Sequence, residues 1–539
     1  MNEGFFDRDL PVRHHGATRR LRLKILSCAF LAAFCGMTLR FVYLNLFGEI
    51  RPPVARTVAP LRRRPDIVDR EGRILAADRL SYNACVPAPN KRRKPLADKD
   101  LDKVAEALAL PPAEIRAALG KAAATGAQVC VAKDVSPEVR AKIQADLNFE
   151  PVYRRSYTGG SSFYHILGFE EQEIQDKGGS PRRISGGIEG YIDSAGLKSS
   201  ERIVLSVDSF VQEALRKNLE DAMRDMRAKE AAGIVMNVRT GEVLALVSLP
   251  DYEPGRLPPT FSHANLIATG LYELGSVMKI FNHAHAIESG VGTNLKYDAG
   301  NPVFIGGYKI SDDEPMGVLS FEEAFVQSSN RAAIMIIREV SRVMGREAQR
   351  ELFRRFGLLE RARLEIPEAE RRLPSFPKVW SDHTSDAASY GHAISITPLH
   401  AIVAANAVVN DGMFVPATLL KKDEDEPLRA RVPIGHETSR RMRELLKGVP
   451  EMGTAKWAFR GASIKALGKT GTAIKVDGLG GYSRTKMRNF FFSAFPADAP
   501  QYSMLVMLDE PNNRGFLKAG ATAAVVARRI LDDIIPMIR

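Results

Sequence analysis

A single apolar segment near the N-terminus constrains this chain more than any other feature of its sequence. Residues 25–47 form a 23-residue stretch in which Arg40 is the only charged side chain. As a helix this stretch would be about 34 Å long, enough to cross the hydrocarbon core of a bilayer. Arg40 is nearer one end, where its side chain can reach the headgroups. We therefore predict a transmembrane helix over 25–47.

The charges around this segment predict its orientation. Residues 1–24 are rich in Arg and Lys, and the positive-inside rule keeps such a tail in the cytoplasm. The alternative is a cleaved signal peptide, but the apolar stretch is long and no A-x-A-like site follows Phe47. No later segment is free of charges for long enough to return. The sequence thus predicts a single-pass protein of the inner (plasma) membrane, with its bulk in the periplasm or extracytoplasmic space.

Composition excludes several classes of protein. The 539 residues are 45% apolar and 26% charged, as in folded chains of several domains. The net charge of +12 comes from short scattered basic runs without zinc-finger spacing, which argues against nucleic-acid binding. No spacing typical of a metal or cofactor site is present, so we predict none. The cysteines beyond the apolar segment, Cys85 and Cys130, either pair in an oxidising compartment or remain two separate buried thiols, which we favour.

Local patterns predict an α/β protein in two extramembrane parts. Residues 48–200 mix short strands and helices without a cluster of catalytic residue types, and residues 201–539 form a second domain. In the first part we expect a strand at 128–132 and helices at 100–110 and 136–147, with loops at Gly159–Gly160 and Gly186–Gly187. In the second we expect one sheet assembled from both ends of a helical block. Its strands are predicted at 203–207, 233–238, 242–249, 490–495 and 502–508. Its helices are predicted at 208–229, 276–289, 320–329, 331–344, 346–356 and 521–534.

Three motifs in a fixed order carry the chemistry. The pattern S-x-x-K places a serine and a lysine on one face of a helix, and it occurs here at 276–279, 375–378 and 483–486. Only the first is followed by S-x-N, at Ser328–Asn330, and then by K-T-G, which begins at Lys469. Pro377 argues against a helix in the second occurrence, and the third is interpreted as loop. The order therefore selects Ser276 as a nucleophile for acyl transfer.

Each of these residues has a chemical reason to be present. The Ser276 hydroxyl is a weak nucleophile and needs a base, which Lys279 can supply only when burial and a neighbouring cation keep it neutral. Ser328 can relay protons, Asn330 can orient Lys279 and a substrate amide, and Lys469 supplies the neighbouring cation.

The residues from Thr470 to Thr472 complete the predicted site. Their two hydroxyls, with the Lys469 ammonium, suit a substrate carboxylate, and Gly471 would leave room for a substrate backbone. The backbone N–H groups of Ser276 and Thr472 are the expected oxyanion donors.

Further landmarks extend the pattern along most of the chain, from about residue 20 to 535. They are Asp66–Ala76 (DIVDREGRILA), Gly187–Glu189, Thr240–Ala245, Tyr390–His392, Thr397–Leu399 and Phe495–Asp498. With the three motifs, they make the sequence resemble the class B penicillin-binding proteins, which are monofunctional peptidoglycan transpeptidases. The resemblance implies a membrane anchor, an elongated dimerisation-type pedestal over 48–200, and a penicillin-recognising domain over 201–539 with an antiparallel sheet flanked by helices.

The resemblance also implies a function. The serine would attack the D-Ala–D-Ala bond of a peptidoglycan stem peptide, and β-lactams would trap the acyl-enzyme. Length and the short tail resemble the septal, cell-division branch, whose members act beside a polytopic glycosyltransferase and other divisome membrane proteins. An elongation-branch enzyme, and an acylatable β-lactam sensor or divisome scaffold without turnover, stay open as alternatives. Departures from the family pattern are Leu274 in Glu-Leu-Gly-Ser, Pro65, Ala393 and His400.

Overall fold

The structure is a computed structural model. It describes residues 63–88, 98–175, 181–197, 201–252, 264–423, 425, 427–476, 482–512, 515 and 517–538, with nine helical positions between 24 and 38. The chain divides into two compact units, 1–62 and 63–539. Among the described residues, no helix has the length and apolar character needed to cross a membrane. Most of the predicted tail at 1–24 and span at 25–47 lies outside the described residues.

The region from 63 to 197 is built on a five-stranded sheet that includes one later strand. The strands of this region are β1 (Ile67–Val68), β2 (Ile74–Val86), β3 (Val129–Val135), β4 (Asn148–Tyr157), β5 (Phe169–Gln175), β6 (Pro181–Gly186) and β7 (Ile203–Val204). In the sheet β3, β2, β1 and β7 follow in order, and β4 pairs with β2. A separate hairpin joins β5 to β6. The helices are α1 (Asp98–Leu108), α2 (Pro112–Thr125), α3 (Pro137–Lys142), α4 (Tyr164–Leu167) and α5 (Gly187–Ala195), with a 3-10 turn at Gly160–Phe163.

The expectation for the two cysteines was wrong. Cys85 and Cys130 are directly opposite each other on β2 and β3, and they form a disulfide. Spacing along the chain could not show this, because the cysteines are 45 positions apart and the segment between them includes two helices. Gly187 was also misinterpreted. It opens α5 with a positive φ of 60°, where a side chain would collide with the backbone of Ile166 and Leu167.

A buried ion network holds this region together. Arg155 donates to Glu189 at 2.7 Å and to Asp78 at 3.2 Å, and all three side chains are almost fully buried. Arg64 reaches the same Glu189 at 2.8 Å. The network joins residues that are 34 to 125 positions apart, so it fixes the sheet against α5.

The region from 201 onward centres on a second five-stranded sheet, which is fully antiparallel. Its strands are β8 (Glu230–Asn237), β9 (Val243–Leu249), β14 (Leu467–Val476), β15 (Tyr482–Phe495) and β16 (Tyr502–Asp509). They follow in the order β14-β15-β16-β8-β9. Two small hairpin-like sheets pair β10 (Lys296–Asp298) with β13 (Val318–Ser320), and β11 (Val303–Ile305) with β12 (Tyr308–Ile310). Distant segments thus form one sheet, as the sequence predicted, with β14 at an edge. The strand predicted at 203–207 is not part of this sheet, because β7 pairs with β1 in the first sheet.

Helices cover this sheet and enclose most of the apolar core. They are α6 (Ser209–Asp225), α7 (Lys279–Ser289), α8 (Phe321–Val326), α9 (Asn330–Met344), α10 (Glu347–Arg355), α11 (Pro367–Glu370), α12 (Asp382–Ser389), α13 (Pro398–Val409), α14 (His436–Glu451) and α15 (Ala523–Ile534), with 3-10 turns at Gly275–Met278 and Ala519–Ala521. The predicted helices are present with shifted ends. The helix predicted at 320–329 stops at Val326, which leaves Ser328 in a turn.

Candidate active site

The candidate nucleophile lies in a tight turn at the start of α7. Ser276 belongs to the 3-10 turn that leads into the helix, and Gly275 before it has a φ of +54°. A Cβ atom on Gly275 would be 2.4 Å from the Thr472 carbonyl oxygen. This glycine therefore allows the helix start and β14 to come into backbone contact, which brings Ser276 beside Thr472.

Lys279 is the centre of the hydrogen-bond network. Its Nζ donates to Ser276 Oγ at 3.0 Å, to Asn330 Oδ1 at 2.8 Å and to the Ser328 carbonyl oxygen at 2.6 Å. The Ser328 hydroxyl is 3.3 Å away and also accepts a hydrogen bond from Lys469 Nζ at 2.8 Å. Two serines and two lysines from three separate segments therefore form one continuous chain of polar contacts.

Both lysines are fully buried, and burial shifts their protonation. Loss of water around Lys279 lowers its pKa to about 7, opposed by the charges of Asp312 and Asp313. Burial also lowers the pKa of Lys469 well below its usual value, with a further contribution from the charge of Lys279. Two ammonium groups in one dry pocket disfavour each other, so one of them is neutral near neutral pH.

The turn that holds Ser328 is fixed by an acid that the motif search did not find. Ser328 has a φ of +62°, a conformation rare for a residue with a side chain. Asp312 accepts hydrogen bonds from the Ser329 hydroxyl at 2.8 Å and from the Asn330 and Arg331 backbone N–H groups. It is 17 positions before Ser329, and no local pattern marks it. Asp312 therefore orients the S-x-N turn from outside the motif.

The K-T-G-T segment lies on the edge strand β14, where its threonine hydroxyls are already engaged. Thr470 Oγ1 is 2.7 Å from Thr454 Oγ1, and Thr472 Oγ1 accepts a hydrogen bond from the Ala519 N–H at 3.2 Å. The Thr472 hydroxyl proton remains available to a carboxylate. Thr454 is a second residue that the sequence patterns missed.

The expected reason for Gly471 was wrong. A Cβ atom there would be 2.5 Å from the Leu274 carbonyl oxygen and 2.7 Å from a Val277 methyl group. The space beside Gly471 is filled by the turn that carries Ser276, so it is not open to a substrate backbone. Glycine is required because two segments of the chain itself pack together at this point.

The other two candidate serines lie on extended segments and not at the start of a helix. Ser375 forms an isolated bridge with Ser395 and is not helical. Ser483, interpreted as loop, is instead in β15. Among the described residues, the only three side chains placed to share a metal are Cys85, Cys130 and Glu150, and both cysteines are committed to the disulfide.

Comparison with known proteins assigns the family. Residues 231–532 match the penicillin binding protein transpeptidase domain, and residues 61–193 match the penicillin-binding protein dimerisation domain. The chain belongs to the penicillin-binding proteins. The two matches cover the same order of pedestal and catalytic region that the sequence motifs predicted.

Similar proteins match this chain over most of its length. The chain is 28% identical to a probable peptidoglycan D,D-transpeptidase FtsI of Caulobacter vibrioides, over 99% of this chain and 92% of that one. It is 24% identical to the peptidoglycan D,D-transpeptidase FtsI of Escherichia coli K12, over 80% and 76%. The fold resembles that of penicillin binding protein 2X from Streptococcus thermophilus, with a TM-score of 0.73 at 21% identity, covering 89% of this chain and 80% of that one.

The departures from the usual penicillin-binding-protein pattern are accommodated locally. Ala393 adopts a φ of +66°, where the pattern usually has glycine, and its N–H donates to Glu273 Oε1 at 3.0 Å. His400 caps α13 through Thr397 and contacts the Glu360 carbonyl oxygen at 2.9 Å. Neither departure removes a group from the network around Lys279.

Two histidines near the site are buried and neutral. Burial, with a contribution from Lys279, lowers the pKa of His392 to about 4. His283 packs between the rings of Phe321 and Phe325, and burial lowers its pKa to about 3. Both are therefore poor bases near neutral pH.

Proposed function

We propose that the protein is a serine peptidoglycan D,D-transpeptidase, with Ser276 as nucleophile. The observation that carries the proposal is the 3.0 Å contact between Ser276 Oγ and a buried lysine whose pKa is about 7. Membership of the penicillin-binding proteins and the D,D-transpeptidase names of similar chains support the same reaction.

Acylation begins when Lys279, in its neutral form, takes the proton of the Ser276 hydroxyl. Oγ then forms a bond with the carbonyl carbon of the penultimate D-Ala, and the N–H groups of Ser276 and Thr472 stabilise the oxyanion. The C–N bond to the terminal D-Ala breaks, and the leaving amine gains a proton through Ser328 from Lys279. The product of this half-reaction is an ester on Ser276 and free D-Ala.

Deacylation uses the same groups in reverse. The amine of a neighbouring stem peptide loses a proton to Lys279 through Ser328 as it attacks the ester. The new peptide bond forms, and Ser276 regains its proton from Lys279. Lys469, Thr470 and Thr472 bind the carboxylate of the donor, while Asn330 holds Lys279 and the substrate amide. A β-lactam follows the first half-reaction, but its leaving nitrogen stays attached, so the ester persists.

We propose the septal branch for this enzyme, supported by the FtsI names of the two relatives. We further propose a membrane helix over 25–47, a cytoplasmic tail over 1–24, a pedestal over 48–200 and a catalytic domain over 201–539. Under this proposal the protein acts beside a polytopic division glycosyltransferase and other divisome membrane proteins. Depletion should give filaments with unfinished septa, whereas an elongation enzyme would give round cells.

The test of the nucleophile uses the full-length protein with a fluorescent penicillin. We expect persistent labelling of the wild type and none of Ser276→Ala. Labelling of both proteins would show that another residue is acylated, and rapid loss of the label would indicate a β-lactamase. Release of D-Ala from a synthetic donor, with transfer to an acceptor amine, then tests transpeptidation itself.

A further inference from the structure

One segment beside the catalytic strand exposes an aromatic side chain that the reaction does not use. Trp457 is 72% exposed, although it lies between Ala455 and Phe459, which are buried. A single exposed apolar side chain is common on protein surfaces, but this one adjoins a groove and two cationic side chains. The groove next to it, of about 580 Å³, runs from Pro450 to Ala466.

The backbone under Trp457 is held firmly. The Phe459 ring packs on Phe491 of the central sheet with centroids 5.3 Å apart. Arg528 donates to the Gly461 carbonyl oxygen at 2.9 Å, and Ser463 donates to Asp532 at 2.7 Å. Contacts with the sheet and with α15 thus hold the backbone that follows Trp457.

Positive charge surrounds the ring. Lys456 Nζ is 5.7 Å from the ring centroid, and the Arg460 guanidinium carbon is 6.0 Å from it. The groove is lined by these two cations and Lys465, against a single acid, Glu451. Within the described part of the chain, neither Lys456 nor Arg460 forms an ion pair. The surface is therefore an aromatic face with unneutralised cations, suited to a ligand that is apolar on one face and carries carboxylates.

The segment is also close to the reacting groups. Thr454, whose hydroxyl is 2.7 Å from that of Thr470, precedes Trp457 by three residues. Three residues span at most about 11 Å, whereas an extended stem peptide of about five residues spans up to about 17 Å. A sugar attached to the far end of a bound stem peptide can therefore reach the Trp457 ring.

We propose that Trp457, Lys456 and Arg460 form a subsite for the glycan strand of peptidoglycan. The C–H face of an amino-sugar ring would stack on the indole, and the two cations would attract stem-peptide carboxylates. The groove beside the ring is also lined by apolar side chains, among them Phe459 and Ile464. We assign it to a glycan because a sugar on a bound stem peptide can reach the ring and the cations complement the carboxylates of that substrate. The proposal rests on the proposed function, since it names the part of the same substrate that lies beyond the peptide.

The first test measures quenching of tryptophan fluorescence by acrylamide in the full-length protein. The chain has two tryptophans, and the other, Trp380, is buried with 1% exposure. Quenching therefore reports almost entirely on Trp457. Peptide-free glycan strands of peptidoglycan should lower the acrylamide quenching constant of this fluorescence at least threefold, and Trp457→Phe should lose this protection. Unchanged quenching with saturating glycan, or protection by polyglutamate without protection by glycan, would overturn the proposal.

The second test compares affinities of variants for the same strands. Trp457→Ala should bind peptide-free glycan at least tenfold more weakly. Lys456→Gln with Arg460→Gln should lose the added affinity that attached stem peptides give. The matched control is Phe210→Ala, because Phe210 is also exposed, at 58%, with the Arg73 guanidinium 4.4 Å from its ring, and should bind normally. Equal weakening in Phe210→Ala, or wild-type affinity in Trp457→Ala, would contradict the subsite.

Penicillin separates this proposal from the proposed function. A fluorescent penicillin carries no glycan, so its reaction with Ser276 does not require the subsite. Ser276→Ala should lose acylation and keep glycan binding, whereas Trp457→Ala should lose glycan binding and keep its rate of acylation within about twofold. A loss of both properties in Trp457→Ala would show that the change acts on the fold and would overturn the assignment.

Discussion

The pedestal and the catalytic region both bury positive charge, but they neutralise it in opposite ways. In the pedestal, Arg155 is 2% exposed and contacts two carboxylates, Glu189 and Asp78. In the catalytic region, Lys279 and Lys469 are fully buried and contact hydroxyl, carbonyl and amide oxygens. Among the described residues, neither lysine forms an ion pair with a carboxylate. A paired guanidinium stays charged and holds segments together, whereas an unpaired buried amine gives up its proton.

The two regions therefore use buried cationic side chains differently. In the pedestal the charge stabilises the fold, whereas in the catalytic region the group can gain or lose a proton. Arginine suits the pedestal because it is always protonated and binds carboxylates through a rigid fork. Lysine suits the active site because its protonation responds to its surroundings. Substitutions in the two regions should therefore separate stability from activity.

The largest expected effect is on acylation by Lys279→Met. The substitution keeps the volume of the side chain but removes the base, so the acylation rate constant should fall at least about 1,000-fold. Stability should change little, because removal of a buried amine that has no carboxylate partner offsets the loss of its hydrogen bonds to Ser276, Ser328 and Asn330. Stopped-flow acylation by a chromogenic β-lactam and thermal unfolding measure the two effects. A marked fall in melting temperature would contradict the contrast drawn here.

The reverse pattern is expected for Arg155→Met in the pedestal. Loss of the guanidinium leaves buried carboxylate oxygens of Glu189 and Asp78 unpaired, which should destabilise the fold by about 3 kcal/mol. Denaturant unfolding measures this, and the acylation rate of the folded protein should not change. The control is Arg79→Met, because Arg79 and its partner Asp134 are both about half exposed, and such a pair contributes less than about 1 kcal/mol. Equal losses of unfolding free energy in the two variants would show that burial of the network does not add to stability.

Acylation should depend on pH through Lys279. The neutral amine is the active form, and its pKa is about 7, so the rate should rise about tenfold per unit below that pH and level off above it. Between pH 5 and pH 7 the expected change is roughly 50-fold, because half of the amine is still protonated at pH 7. The profile is measured on the full-length protein with a β-lactam whose leaving group is uncharged. A flat profile across this range would mean that Lys279 is not the base.

The smallest effect is expected for Asp312→Asn, which tests a positioning residue. The amide keeps one acceptor but weakens the hydrogen bonds that hold Ser329 and Asn330, so acylation should fall about tenfold. The midpoint of the pH profile should also move down, because the charge of Asp312 raises the pKa of Lys279. Asp313→Asn is the comparison, since the charge of Asp313 also raises the pKa of Lys279 and its loss should lower the midpoint as well. Among the described residues the ion pair of Asp313 is with Lys518 and not with the S-x-N turn, so acylation above the midpoint should change little. An unchanged midpoint of the pH profile in Asp312→Asn would show that Asp312 has a purely structural role and does not affect the pKa of Lys279.

Much of the fold could be predicted because local patterns are strong where helices and strands are long. The β8–β9 hairpin and the helices α9 and α15 lie close to their expected positions. Boundaries were less accurate where tertiary contacts decide them. The segment after Ser136 was expected to be helical to 147, but α3 ends at Lys142 and β4 begins at Asn148, where the chain pairs with β2.

The sequence by itself determined the family and selected Ser276 among three S-x-x-K patterns, because motif order is a property of the chain. Only the tertiary structure decided that Asp312 and Thr454 touch the site and that Cys85 bonds Cys130. It also decided that Gly471 makes room for the turn containing Ser276. These contacts join residues far apart in sequence, and their energy comes from packing, burial and hydrogen bonds that no local pattern records. Motif order marks the candidate reacting groups, whereas folding sets the distances between them and the burial that lowers the pKa of Lys279.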